Sequence, residues 1–422
     1  MANLLIIELP GGNDTDILEA AVRKQHSFVF LTQDLSVYQR NSNVIAWVEK
    51  ASQIIELPSF EYDSIEEAVL HSNEKKKIDA LLCLIDIRLI EASKLAKRLG
   101  VRHLNVESSI LLRDKFSVRE RLKQSGIEQP EFALACTNDE ILKAIQKVGF
   151  PLLMKPSDGY GSQNILTLKN EEDLDLVNES LSNLLPITAD YGLGVRSNDR
   201  LLVERYMSGS FIGCDTFTLN GKHQLLGINE KLMFSPPSFA IRGGCFLPNE
   251  GHWSGLEDYV FSILDAVGFD CGATHMELMI TAEGPRLVEI NPRLVGAKIA
   301  RLIGYSLNLS MHEALIDLHL GNEMLSDLNP EEMKPSVTRW LISETAGELD
   351  QILLPQWSND GVKCAEILSQ KGDAVAYPFE NAQRLGYVMT TCPTRAEAEE
   401  LAERFIKDSK VLLKTDQIYP QV

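Results

Sequence analysis

The sequence predicts a mixed α/β protein, and two parts of the chain carry this prediction. Near the N-terminus, short apolar runs at residues 4–7, 28–31 and 80–85 alternate with helix-like segments. This alternation is typical of parallel strands joined by crossover helices. Further along, apolar segments at residues 275–280 and 287–290 flank a polar turn, which predicts an antiparallel hairpin.

The length, composition and charge indicate a globular protein of several domains. A chain of 422 residues is too long for one ordinary core, so we expect two to four domains or subdomains. Hydrophobic residues make up 44% and charged residues 24%, as in soluble globular proteins. The 60 acidic and 41 basic residues give a net charge of −19. This charge argues against nucleic acid or an anionic membrane as the main partner.

The cysteines and the N-terminus indicate a cytoplasmic protein. The seven cysteines are scattered and show no C-x-x-C spacing, so we expect reduced thiols and no zinc site. The first nine residues lack a basic region and contain Glu8, which argues against a secretory signal. No apolar run approaches the length that spans a bilayer.

The first 108 residues are predicted to form a parallel α/β layer. Within it, Ser64-x-x-Glu67 predicts a helix start by a capping box. The segment Gly11-Gly12-Asn13-Asp14 does not make G-x-G-x-x-G, so the dinucleotide fingerprint is absent. We therefore interpret this domain as a structural or substrate-side wall.

The middle of the chain contains a lysine placed to meet phosphate. A charged helix at residues 113–122 is followed by a helix that Thr137 caps. Next, a strand carries Lys155 and runs into a Gly/Ser loop at residues 157–164. An ammonium group and close-approaching backbone N–H groups suit a polyphosphate. The Walker A pattern is missing, and taken alone Gly159 and Gly161 are more often ordinary hairpin glycines than a phosphate cover.

Several segments after residue 200 are assigned from their local patterns. Residues 201–207 predict a strand that passes into a connection, and Asn220-Gly221 predicts a hairpin turn. Residues 234–252 are expected to be a long irregular loop, which is uncommon unless functional. Near the C-terminus, residues 386–391 predict a strand and Thr394-x-x-Glu397 caps a helix.

The predicted hairpin brings together the chemistry of a metal site. Pairing its strands places Glu277 beside Glu289, with Asn291 and Arg293 just beyond. Two carboxylates and an amide oxygen suit Mg²⁺, which prefers hard oxygen ligands and keeps waters and substrate phosphates in its shell. An arginine beside them is suited to hold charge on a transferring phosphoryl group. A surface hairpin with solvated glutamates is the alternative.

Taken in order, these segments resemble the ATP-grasp superfamily of ligases over nearly the whole chain. The motifs that carry the resemblance are Arg113-Asp114-Lys115, the strand and loop from Lys155 to Asn164, Glu204 to Met207, Lys231, Glu277 and Glu289-x-Asn291-x-Arg293. The resemblance implies a Rossmann-like N-terminal domain (1–108), an ATP-grasp domain (109–320) with a small lid subdomain at about 135–207, and a C-terminal α/β domain (321–422).

The resemblance also implies roles for individual residues. Those expected to bind ATP are Lys115 and Lys155 at the α- and β-phosphates, Gly161, Ser162 and Gln163 in the covering loop, and Glu204, Arg205, Tyr206 and Met207 at adenine. Those expected to hold one or two Mg²⁺ ions are Glu277, Glu289 and Asn291. Arg293 is expected to stabilise the acyl phosphate, and Lys231 to lie near the γ-phosphate.

One position departs from the superfamily pattern. Many members carry a glutamate in a G-x-E pattern that binds the ribose, whereas Gly209-Ser210 is followed here by Phe211. Either Asp215 or another group takes that role, or the ribose is held differently. His275 shares a strand face with Glu277 and is expected to be structural.

Within the superfamily, the chain resembles the L-amino acid ligases and dapdiamide-type synthetases. This resemblance implies that ATP activates a carboxylate as an acyl phosphate and that an amine attacks it, which releases ADP and phosphate. The expected substrates are small carboxylates and amines such as amino acids. We hypothesise that Arg242 binds a substrate carboxylate through two hydrogen bonds. The alternative, with equal weight, is that Arg242 is a solvated arginine in a loop. A homodimer is the default expectation.

Two other functions remain open at this point. A biotin-carboxylase-like enzyme that activates bicarbonate shares most of these motifs. A non-catalytic nucleotide-binding protein is disfavoured because Lys155, Glu277, Glu289, Asn291 and Arg293 are all present.

Overall fold

The computed structural model describes residues 1–159, 165–174, 200–234, 241–248, 255–322, 328–329, 331–358, 361–377 and 383–414. The chain divides into two compact units. The first unit comprises residues 1–225, 251–296 and 312–326. The second comprises residues 226–250, 297–311 and 327–422.

The first unit begins with a four-stranded parallel sheet, as predicted. Its strands are β1 (Asn3–Ile7), β2 (Ser27–Thr32), β3 (Gln53–Glu56) and β4 (Ala80–Cys83). Its helices are α1 (Asp16–Arg23), α2 (Ser36–Gln39), α3 (Ser42–Val48), α4 (Tyr62–Lys75) and α5 (Leu89–Leu99). The strand order is β3-β2-β1-β4, and all three pairings are parallel. Buried aliphatic side chains of the strands pack against those of α4 and α5.

A second, antiparallel sheet of the first unit carries the predicted lysine strand. Two helices, α6 (Val106–Leu112) and α7 (Lys115–Gln124), precede it. Its elements are β5 (Phe132–Ala135), α8 (Asn138–Val148), β6 (Leu152–Pro156), β7 (Leu166–Leu168) and β8 (Leu201–Arg205), with sheet order β5-β8-β6-β7. The side chain of Thr137 caps α8, and Gly149 ends the helix with φ 71°. The sheet therefore holds Lys155 and Glu204 on adjacent strands.

The predicted hairpin is also confirmed in the first unit. It consists of β12 (Cys271–Thr281) and β13 (Gly284–Asn291), and β9 (Ser210–Leu219) pairs with the other edge of β12. Two helices, α9 (Leu256–Ala266) and α11 (Met311–Leu320), complete the part described. Glu277 lies opposite Glu289, and His275 opposite Asn291. Because cross-strand partners project to one face, the hairpin brings the expected metal ligands together.

The second unit contains five consecutive antiparallel strands in the order β10-β11-β14-β18-β16. These are β10 (Lys222–Met233, of which residues from 226 belong to this unit), β11 (Ile241–Leu247), β14 (Ser336–Leu341), β16 (Val362–Ile367) and β18 (Gly386–Thr391). A smaller sheet has the order β17-β15-β19, formed by β15 (Gly347–Leu353), β17 (Ala374–Val375) and β19 (Lys410–Leu413). The helices are α10 (Ile299–Leu307) and α12 (Arg395–Asp408).

The expectation of an irregular loop over residues 234–252 is wrong for residues 241–247. These residues form β11, which pairs with β10 and β14. A Cβ on Gly243 would lie 2.2 Å from the Thr338 carbonyl oxygen, and one on Gly244 would lie 2.8 Å from the Glu230 carbonyl oxygen. Both glycines are therefore required by the close approach of neighbouring strands.

The capping motifs have different outcomes. The predicted capping box of Thr394 and Glu397 is present at the start of α12. The predicted capping box at Ser64 is wrong, because α4 begins at Tyr62, and Glu61 at its N-cap makes no side-chain cap. The seven cysteines are free thiols, as expected. No helix within the described ranges is long and apolar enough to cross a membrane.

Replacement of Thr394 by alanine is expected to loosen the start of α12. The change removes the side-chain acceptor of the Glu397 N–H and costs about 1 kcal/mol, so first-turn amides should exchange with deuterium roughly fivefold faster. Hydrogen–deuterium exchange of peptides from residues 394–400 measures this. Glu400→Gln, an exposed change on the same helix, is the control. Equal exchange rates in Thr394→Ala and the control would contradict the proposed cap energy.

Candidate functional site

A buried cluster of three charged side chains lies at the centre of the first unit. Glu204 on β8 is 2% exposed and pairs with the Arg119 guanidinium from α7. Its second oxygen lies 2.7 Å from the Lys155 ammonium on β6. Arg119 is also 2% exposed and donates to the Gln129 side chain and the Val288 carbonyl. The three elements and β13 are thus joined through charge-assisted hydrogen bonds.

The pKa values of this cluster follow from burial and pairing. Burial alone would raise the pKa of Glu204, but the Arg119 and Lys155 cations hold it at about 2. Burial lowers the pKa of Lys155 below its ordinary value, and the Glu204 carboxylate opposes this change. The carboxylate is therefore ionised at neutral pH and fixes the ammonium in place.

A cleft lies between the start of α7 and the end of β13. Lys115 lines it, with its Nζ 2.9 Å from a Glu289 oxygen and 2.6 Å from the Gly159 carbonyl oxygen. The Asp114 carboxylate caps α7 and accepts a hydrogen bond from the Ser157 hydroxyl at 2.9 Å. This arrangement joins the predicted Arg113-Asp114-Lys115 motif to the chain that follows Lys155.

The three expected metal ligands lie at the end of the hairpin. Glu277 and Glu289 are cross-strand partners, and Asn291 faces His275 in the same register. All three side chains are half-buried, and Glu289 and Asn291 line the cleft. Within the described ranges, no three His, Cys, Asp or Glu side chains form a metal-binding group. Two carboxylates and an amide nevertheless fit Mg²⁺, which takes its other ligands from water and phosphate.

Arg293 lies beside the cleft and pairs with a residue of the N-terminal sheet. Its Nε lies 2.7 Å from Oδ2 of Asp86, which follows β4 and is 4% exposed. Arg293 also donates to the Leu294 carbonyl. The guanidinium is thus oriented at the end of the strand that carries Glu289 and Asn291.

The expected adenine-binding residues are placed at the end of β8. Arg205 is exposed and donates to the Phe150 carbonyl, while the Tyr206 N–H donates to the Pro151 carbonyl. Met207 is half-buried. The loop residues Gly161, Ser162 and Gln163 lie outside the described residues.

Asp215, which was considered as a ribose ligand, is buried and pairs with another buried side chain. Its Oδ1 lies 3.0 Å from Nδ1 of His275, and both side chains are more than nine-tenths buried. The pair joins β9 to β12 on the strand face that carries Glu277. A ribose role for Asp215 stays a prediction.

The other two expected catalytic residues belong to the second unit. Lys231 is exposed on β10, opposite Gly244 of β11. Arg242 on β11 lies 2.6 Å from a Glu403 oxygen of α12, and Arg339 of β14 binds the other Glu403 oxygen at 2.6 Å. Arg242 therefore lies on a strand rather than in a loop, where its exposed side chain belongs to an ion-pair network.

Two residues of the site were not found from the sequence. Arg119 belongs to the charged helix but had no local motif of its own, and Asp86 lies in the domain interpreted as a wall. Their partners are 85 and 207 residues away in the chain. A possible signal was an acidic residue directly after a buried parallel strand, where ligand sites of α/β sheets occur.

Comparison with known proteins identifies the class. Residues 148–301 match the ATP-grasp domain family. Residues 339–411 match the family described as L-amino acid ligase C-terminal domain 2. The chain thus carries an ATP-grasp domain followed by a C-terminal domain of L-amino acid ligases.

Individual similar proteins match most of the chain. The chain is 25% identical over 70% of its length to uncharacterized protein y4rH of Sinorhizobium fredii, of which it covers 60%. It is 23% identical over 70% of its length to an L-arginine-specific L-amino acid ligase of Bacillus subtilis, of which it covers 71%. The structure of an L-amino acid ligase from Bacillus licheniformis superimposes with a TM-score of 0.76 at 17% identity, covering 98% of this chain and 99% of that one.

The pH dependence of stability tests the buried cluster. The folded pKa of Glu204 is about 2 against an ordinary 4.5, so its stabilisation is present above about pH 4.5 and is lost as the pH falls towards 2. Glu204→Gln should lower the free energy of unfolding by about 3–5 kcal/mol at pH 7. The gap between wild type and variant should shrink at pH 3, as measured by urea unfolding.

The exposed Glu131, which lies 3.6 Å from Lys147, provides the control. Glu131→Gln should follow the wild type at both pH values because exposed ion pairs contribute little. A constant gap between wild type and Glu204→Gln from pH 7 to pH 3 would contradict the assigned ionisation.

Proposed function

We propose that the protein is an ATP-dependent ligase that joins two amino acids. In the proposed reaction the carboxylate of one amino acid takes the γ-phosphoryl group of ATP, which yields an acyl phosphate and ADP. The amine of the second amino acid attacks the acyl carbon, so that the C–N bond forms and phosphate leaves. The observation that carries this proposal is the convergence of Lys115, Glu289 and Asn291 on one cleft, whose lining residue Asp86 pairs with Arg293.

The side chains have roles that follow from their charge and position. Lys115 and Lys155 bind nucleotide phosphates, since each presents an ammonium that a neighbouring carboxylate holds in place. Glu277, Glu289 and Asn291 hold Mg²⁺, which supplies positive charge against the phosphate oxygens when bound. Arg293 stabilises the negative charge on the activated carboxylate. Catalysis of this kind is mainly positioning and charge neutralisation.

The ligase is favoured over the carboxylase and the non-catalytic protein. The match of residues 339–411 to the L-amino acid ligase C-terminal domain supports a ligase, and the retained cations and carboxylates support a working site. A homodimer, a cytoplasmic location and domain boundaries near residues 108 and 320 remain predictions, supported by the sequence arguments alone.

Phosphate release with ATP and Mg²⁺ tests the proposed function. We expect release that requires two amino acids, with a product at their summed mass minus water, across a panel that includes L-arginine and bicarbonate. Glu289→Gln should reduce the rate by at least about 100-fold because it removes a carboxylate ligand of the proposed Mg²⁺, whose positive charge would stabilise the reacting phosphates. Glu131→Gln, an exposed change, is the control.

Two results of this experiment would point elsewhere. Release that depends on bicarbonate alone would move the assignment to a carboxylase. Nucleotide binding without turnover across the whole panel would favour the non-catalytic protein.

The role of Arg242 is a separate part of this proposal. If Arg242 binds a substrate carboxylate, Arg242→Ala should raise the KM of one amino acid by about 10- to 100-fold with little change in kcat, since a charge-assisted pair is lost. Initial rates with one substrate varied at a time measure this. Glu403→Gln breaks the ion pair but keeps the guanidinium, so it separates the two functions. An unchanged KM for both amino acids in Arg242→Ala would leave Arg242 a purely structural residue.

A further inference from the structure

Asp86 lies at the point of the N-terminal sheet where ligands of α/β proteins bind. In the strand order β3-β2-β1-β4, β2 and β3 lie on one side of β1 and β4 lies on the other. The order in which the chain adds strands therefore reverses between β1 and β4. Open α/β sheets bind ligands outside the carboxyl ends of their strands at such a switch point. Asp86 follows β4 closely, and it lines the cleft that also contains Lys115, Glu289 and Asn291.

Two buried carboxylates at this edge of the sheet differ in whether both of their oxygens have hydrogen-bond partners. Glu8, after β1, is fully buried and accepts hydrogen bonds from the Thr32 hydroxyl at 2.8 Å, the Gln33 N–H at 2.9 Å and the Tyr38 hydroxyl at 2.5 Å. Asp86 uses Oδ2 for Arg293, and its buried Oδ1 has no hydrogen-bond partner among the described residues. Of these two carboxylates, Asp86 is the one with an oxygen that has no hydrogen-bond partner among the described residues.

An unsatisfied buried carboxylate oxygen is unfavourable, and native proteins keep few of them. One that lines a cleft next to a guanidinium presents a negative and a positive group side by side. The zwitterionic head of an amino acid carries the complementary pair, an α-ammonium close to a carboxylate. Because each ligand charge then meets its opposite, this pair of side chains selects a zwitterion over a simple acid.

We propose that Asp86 and Arg293 together bind the head of the amino acid whose carboxylate is activated. Arg293 faces the carboxylate, and Oδ1 of Asp86 accepts a hydrogen bond from the α-ammonium. Asp86 is thus a specificity determinant for α-amino acids as acyl donors. This inference rests on the proposed function, since it assumes that the activated substrate is an amino acid.

The test uses the pair of amino acids that the wild-type protein joins best, with the donor identified as the N-terminal residue of the product. Asp86→Asn keeps the shape of the side chain and removes its charge. The donor KM should rise by about 10- to 100-fold, because a charge-assisted hydrogen bond to a buried group is lost. The acceptor KM and nucleotide binding should stay within about twofold of the wild type, because the proposed nucleotide ligands are unchanged.

A second readout isolates recognition of the ammonium. The α-hydroxy analogue of the donor lacks the ammonium, and the wild type should prefer the amino acid to it by at least about 10-fold in kcat/KM. Asp86→Asn should lose most of this preference. Glu8→Gln removes a buried charge of the same sheet edge that already has its partners, and it should keep the preference.

The outcomes separate this inference from the proposed function. If no pair of amino acids stimulates the wild type, the proposed function fails and this inference fails with it. If the wild type joins amino acids but uses the α-hydroxy donor equally well, the inference is overturned even when Asp86→Asn does not fold. It is likewise overturned if Asp86→Asn keeps the wild-type preference.

Discussion

The charge of Glu204 is the constraint on which the first unit depends. A carboxylate that is 2% exposed is stable only when cations and hydrogen bonds replace its lost hydration. Arg119 and Lys155 provide them from α7 and β6, and Arg119 also binds the β13 carbonyl of Val288. One buried charge therefore fixes the lysine strand, the charged helix and the hairpin relative to each other, which is the positioning that phosphoryl transfer requires.

The cleft beside α7 is lined by cations, although the net charge of the whole chain is negative. A net charge of −19 repels a nucleoside triphosphate at long range. Within the cleft, however, Arg113, Lys115 and Arg119 line one side. The carboxylates that line the cleft are Asp86, which pairs with Arg293, and Glu289, a proposed metal ligand. Binding of an anionic ligand is thus decided by a few side chains at short range, where a partly buried site weakens salt screening.

The features that the sequence predicted are those with a local pattern. The hairpin register followed from the two-residue period of a strand, and the helix starts at Thr137 and Thr394 followed from their capping residues. The capping box predicted at Ser64 is wrong, because α4 begins two residues earlier, at Tyr62. The strand at residues 241–247 was not predicted, because the close contacts that require Gly243 and Gly244 lie on other strands. Arg119 and Asp86 were missed for the same reason, since only the fold supplies their partners.

Two ion pairs of the first unit, Lys155–Glu204 and Asp86–Arg293, are formed by different parts of the fold. Lys155 and Glu204 belong to the antiparallel sheet, whereas Asp86 reaches Arg293 from the end of a parallel strand. Because these pairs share no side chain, a substitution at the edge of the parallel sheet should leave the lysines proposed to bind phosphate in place. Under the two proposals, substrate choice could therefore vary through the N-terminal sheet while the proposed phosphoryl-transfer groups stay constant. Arg293 would serve both proposed functions, which would make it the hardest of these side chains to replace.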